Sequence, residues 1–113
     1  MTVELIEGDC LEVMRDIPDA SIDMVLCDLP YGTTRNKWDS VLPLDQLWTA
    51  YWRICRGAVV LTASQPFTSA LVMSAPSAFR YSWVWRKSEA TGHLNAKRMP
   101  MKIHEDILVF AKN

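Results

Sequence analysis

Apolar positions along this chain fall into short continuous runs and helical stripes, separated by polar turns, and the alternation predicts an α/β protein. Val3 to Ile6 is a short apolar run that predicts a first strand. Gly8-Asp9 then opens a helix reaching about Ile17, with Asp9 and Glu12 at capping-box spacing. Pro18-Asp19-Ala20 supplies a turn into Ser21 to Asp28, whose apolar run predicts a strand covered on both faces. Pro30 and Gly32 end that strand abruptly.

The stretch Thr33 to Lys37, followed by Trp38-Asp39, has no apolar period and reads as a loop. Leu44, Leu47, Trp48, Tyr51, Trp52 and Cys55 recur at helical spacing, with Pro43 and Asp45 suited to the start and Arg53, Arg56 and Gly57 to the end. These aromatics read as core rather than as base-stacking groups. Ala58 to Ala63 predicts a second buried strand, then Ser64 as a cap and Pro66 in the first turn of a helix to about Met73. Beyond Pro76 the period becomes two, with Tyr81, Trp83 and Trp85 alternating with Ser82, Val84 and Arg86. Ser88 to Met101 is polar and reads as an exposed loop, and Asp106 to Ala111 as the last strand. The order predicts a mostly parallel sheet whose final two strands are antiparallel to each other.

Composition narrows the class without changing this outline. One domain is all that 113 residues allow, and an apolar fraction of 50% with five Trp implies a real core. No apolar run is long enough for a membrane span and no basic stretch leads into an apolar one, so a cytoplasmic protein without a membrane partner is expected. Cys10, Cys27 and Cys55 are widely spaced and read as reduced thiols, with no metal site expected. The net charge of −1 hides an asymmetry. Residues 1 to 28 carry eight acidic groups against Arg15 alone, whereas residues 86 to 102 carry Arg86, Lys87, Lys97, Arg98 and Lys102 against Glu89. Lys87, Lys97 and Arg98 are candidates for phosphate contacts, the alternative being a solvated loop. His93 and His104 read as structural.

The candidate chemistry lies at the end of the central strand, because ligands in open α/β sheets bind at the carboxyl ends of strands. Asp28-Leu29-Pro30-Tyr31 resembles the Asp-Pro-Pro-Tyr signature of adenine-N6 and cytosine-N4 DNA methyltransferases. Ile22 to Val25 and Gly32-Thr33-Thr34 also fit that family, especially its phage-type members. Gly8-Asp9 upstream, and Trp85-Arg86-Lys87 and His104 to Phe110 downstream, stand in the family's order. The resemblance covers nearly the whole chain but about the first half of a usual member. It implies a partial Rossmann-like methyltransferase sheet with helices on both faces, acting on DNA with S-adenosylmethionine as methyl donor.

The exocyclic amine of adenine is a poor nucleophile, since its lone pair is delocalised into the ring. By the resemblance, the Asp28 carboxylate and the Leu29 carbonyl accept the amino hydrogens and stabilise the charge that develops at transfer. Pro30 shapes the turn, and Tyr31 stacks on the flipped base. The aspartate at position 28 implies adenine rather than cytosine. Asp28 and Asp9 are the expected cofactor contacts, Asp9 either capping its helix alone or capping it and touching the donor.

The family's glycine-rich cofactor loop has no counterpart here, as Gly8, Gly32, Gly57 and Gly92 are scattered. The resemblance places the missing strands between the first strand and the central one, which leaves an open edge beside Asp28. Two outcomes are expected: Val3 to Ile6 pairs directly beside the central strand, or the chain borrows a partner, as a homodimer or with a complementing second chain. A non-catalytic remnant that binds or dimerises is the alternative to an enzyme half.

Overall fold

A computed structural model describes residues 2–32 and 41–112. The expected loop Thr33 to Lys37 and the Trp38-Asp39 pair lie outside the described residues. Among the described residues, the chain runs through α1 (Cys10–Met14), β1 (Val25–Asp28), α2 (Leu44–Ile54), β2 (Val59–Ala63), α3 (Phe67–Ser74), β3 (Phe79–Thr91) and β4 (Lys102–Phe110), with a short 3₁₀ turn at His93–Asn95. The sheet order is β1-β2-β4-β3. β1 and β2 are parallel, and β4 is antiparallel to both β2 and β3. Three of the four strands therefore run one way and β4 alone is reversed, as the order of elements predicts.

Helix α2 forms because Leu47, Trp48, Tyr51 and Ile54 make one apolar stripe, and all four are buried. That stripe meets Val59, Leu61 and Phe110, all fully buried, and Trp48 packs edge-on against Phe110 with centroids 4.7 Å apart. Phe67 and Leu71 bring α3 into the same core, and Met14 brings in α1. Alternation along the strands puts Val59, Leu61, Leu108 and Phe110 on the helix-covered face. Leu26, Val60, Thr62, Ile107, Val109, Tyr81 and Trp83 fall on the other. No described helix covers this second face, so Leu26 is 67% and Trp83 61% exposed. The resemblance implies helices on both faces; among the described residues they cover one.

Parallel pairing of β1 needs the chain before it held against α2 and the α2–β2 connection, and four contacts do this. Ile22 bridges Cys55, the Arg56 side chain pairs with Asp23, and Arg53 donates to the carbonyls of Met14 and Ile17 at 2.5 and 2.7 Å. Gly57 is required here, because a Cβ would stand 2.0 Å from the Asp23 carbonyl oxygen.

Several sequence expectations are corrected. Val3 to Ile6 forms no strand and does not pair beside β1: Val3, Leu5 and Ile6 are exposed. A short apolar run gains nothing from extended geometry without a neighbouring strand to take its hydrogen bonds. Helix α1 ends at Met14 rather than near Ile17, and Glu12 pairs with Arg15 at 3.1 Å. At α3 the Ser64 hydroxyl makes no cap; the Gln65 side chain accepts from the Ser69 amide at 3.2 Å. Ser88 to Thr91 belong to β3, and β4 begins at Lys102, because the two strands of a hairpin satisfy each other's backbone whatever their side-chain polarity. Tyr81 to Arg86 show two faces in register but not in burial, both being exposed.

Candidate active site at the carboxyl end of β1

β1 delivers Asp28 at its last position, and the next residue, Leu29, turns its side chain into the core, where it is buried. The leucine thus anchors the strand end while Asp28 stays exposed. β2 pairs Thr62 with Asp28, and the Thr62 hydroxyl donates to Asp28 Oδ1 at 2.6 Å. A hydrogen bond to a carboxylate contributes roughly 1.5–3 kcal/mol when shielded and less in water. At an exposed site its main effect is to fix the orientation of the acceptor.

Three residues on, Tyr31 lies with its ring on Phe67 of α3, centroids 5.5 Å apart and planes 20° from parallel. Its hydroxyl donates to Glu105 Oε1 of β4 at 2.6 Å. The second oxygen of Glu105 pairs with Lys87 of β3, and the Lys87 ammonium sits 4.5 Å from the centroid of Trp85. Burial, then the hydrogen bond to Glu105, pushes the Tyr31 phenol well above its ordinary range, against a smaller opposing effect from Thr62. Tyr31, Lys87 and Glu105 line a cavity of about 450 Å³ with Ser64, Lys102 and His104.

The strand ends therefore gather Asp28, Thr62, Tyr31, Glu105 and Lys87 on one side. Lys97 and Arg98 are exposed in the β3–β4 turn and do not line this cavity themselves, although Asn95, Met99 and Pro100 of the same turn do. Lys87 has an internal ion pair, unlike a solvated cation. Asp9 is the N-cap of α1 and accepts from the Leu11 amide at 2.9 Å, which is the capping job its position predicts. Thr62, Phe67 and Glu105 are the residues that sequence reasoning missed. The one signal for Glu105 is its place in the run His104 to Phe110.

Among the described residues, no glycine-rich turn follows a strand end to cradle S-adenosylmethionine. Among the described residues, Gly92 sits open in the hairpin and Gly57 packs against Asp23, and neither forms a cradle beyond a strand end. No described group of His, Cys, Asp and Glu could hold a metal ion, and no described helix is long and apolar enough to cross a membrane.

No protein-family model and no curated protein matches the chain. Solved structures do. M1.HpyAVI in complex with S-adenosylmethionine superposes with a TM-score of 0.66 at 18% identity, covering 94% of this chain and 54% of that one. TTHA0409 of Thermus thermophilus, complexed with S-adenosyl-L-methionine, gives 0.66 at 19% identity, with 93% and 53% covered. The cytosine-N4-specific PvuII DNA methyltransferase gives 0.59 at 12%, with 94% and 48% covered. The fold is thus that of DNA methyltransferase structures. The chain spans about half the length of the structures it matches.

Proposed function

We propose that this chain is the base-binding half of a site-specific DNA methyltransferase acting on adenine N6. The observation that carries the reading is Asp28 at the carboxyl end of β1, oriented by Thr62, beside a stacked and tethered Tyr31 at the mouth of a cavity. An oriented carboxylate and the Leu29 carbonyl next to it suit an amine that must be drawn toward tetrahedral geometry, and an aromatic ring suits a flipped base. S-adenosylmethionine, bound in two of the structural neighbours, is the proposed donor. Asp28 would approach its methyl end, Asp9 is a candidate contact to the rest, and the remaining donor contacts come from a complementing chain or second copy. Lys97 and Arg98, exposed in the hairpin turn, are the proposed contacts to DNA phosphates.

The adenine assignment rests on Asp28 at the first motif position, and a cytosine-N4 enzyme shares the fold. Replacing Asp28 by Ala in the native gene should remove N6-methyladenine from one sequence context of the cell's DNA, read by nucleoside mass spectrometry. Loss of N4-methylcytosine instead moves the target base, and unchanged methylation overturns the proposal.

A second reading, a non-catalytic module that binds or dimerises through its sheet, is favoured by the uncovered face carrying Leu26 and Trp83. Methylation that survives Asp28→Ala, combined with a concentration-dependent dimer in light scattering, would support it.

A further inference from the structure

Resting on the reading of this cavity as a base pocket, we infer that Glu105 and Lys87 are positioning residues that hold Tyr31 as a fixed stacking platform for the target base. Four elements converge on one ring. Tyr31 follows β1, Phe67 starts α3, Lys87 is on β3 and Glu105 on β4. Each oxygen of a single carboxylate has its own partner: Oε1 takes the Tyr31 hydroxyl at 2.6 Å and Oε2 takes the Lys87 ammonium. The Glu105 side chain is only 19% exposed, so the pair with Lys87 is largely shielded from solvent.

A phenylalanine could stack as well as Tyr31, so stacking alone does not account for the hydroxyl. Phe67 occupies one face of the ring and Glu105 fixes its far end, which together remove rotation about the side-chain torsions before any ligand arrives. Preorganisation of this kind strengthens binding by removing an ordering cost. It also gives Lys87 a role that needs no phosphate. The Trp85 ring lies 4.5 Å from the ammonium, a second contact that holds the cation in place.

The test uses the full chain and a thymine-rich single-stranded oligonucleotide carrying one 2-aminopurine, whose fluorescence is quenched when the base stacks on an aromatic ring. Glu105→Ala and Tyr31→Phe should each weaken binding about tenfold, as expected for loss of a hydrogen bond to a charged group. Glu105→Ala should add little in the Tyr31→Phe background, because both remove the same tether. Lys87→Met should weaken binding about threefold, and Lys87→Arg should restore it. Glu105→Gln covers the case in which the alanine variant does not fold. NMR of Cζ-labelled tyrosine should show the Tyr31 signal moving in Glu105→Gln and Lys87→Met while the melting curve stays cooperative. Equal losses from Glu105→Ala with and without the Tyr31 hydroxyl, or no loss at all, overturn this inference and leave the base pocket standing. No quenching by the wild-type chain overturns both.

Discussion

The two faces of one sheet differ more than any other two regions of this molecule. On one, Val59, Leu61 and Phe110 are fully enclosed by three helices. On the other, Leu26, Tyr81 and Trp83 stand largely in water, and the outer edge of β1 has no strand beside it among the described residues. Asp28, Thr62, Glu105 and Lys87 all belong to the uncovered face by strand alternation. Tyr31, by contrast, packs on Phe67 of the covered core, so the candidate chemistry lies at the end of the sheet where the two faces meet. The chain therefore sets a closed core on one side of the sheet against an exposed apolar face on the other, with the candidate site at the strand ends between them.

The contrast is broken most strongly at Phe110. Phe110→Ala leaves a cavity under Trp48 and Phe79 and should cost about 3–5 kcal/mol in denaturant unfolding, close to the whole stability of a small domain. Gly57→Ala forces the Asp23 backbone away from the α2–β2 connection and should cost about 1–3 kcal/mol, with β1 amides losing hydrogen-exchange protection first. Alkaline conditions give a smaller effect of predictable sign. The Tyr31 and Tyr51 phenols are raised above their ordinary value, chiefly by burial, so the unfolded chain releases these protons first. Stability should therefore fall as pH rises past about 10, and Tyr31→Phe should flatten that fall in thermal melts at pH 9 to 11. Trp83→Ser on the uncovered face should change monomer stability by no more than about 0.5 kcal/mol. A loss there comparable to Phe110→Ala would mean that the second face is covered in solution.

The covered face was the more legible in the sequence. The stripe Leu47, Trp48, Tyr51 and Ile54 and the run Val59 to Ala63 carry their burial in their periodicity, and both elements form where the pattern puts them. Asp28 and Tyr31 stood out because a carboxylate and a ring closing an apolar run have little structural reason to be there. The partners of these two were not legible. Thr62 reaches Asp28 from 34 residues away and Glu105 reaches Tyr31 from 74, through sheet register that no local pattern encodes. The run Val3 to Ile6 misled for the opposite reason: its composition suits a strand, but strand formation depends on a neighbour that a local reading does not supply. The hairpin was underestimated because Ser88 to Thr91 are polar, and cross-strand pairing outweighs polarity on a strand with no buried side.

The β3–β4 hairpin gives the candidate pocket a wall. β2 supports β4 only as far as Asp106, while β3 continues to Thr91 and β4 starts at Lys102. Beyond that support the pair continues as a two-stranded ribbon, tied to the segment before α3 where the Lys102 ammonium donates to the Gln65 carbonyl at 3.1 Å. Glu105 and Lys87 sit where the ribbon leaves the sheet, beside Tyr31. Gly92, Asn95, Met99 and Pro100 of the turn line the same cavity as Tyr31, so the hairpin walls the candidate pocket along its length and brings its turn to the ring it tethers at its root.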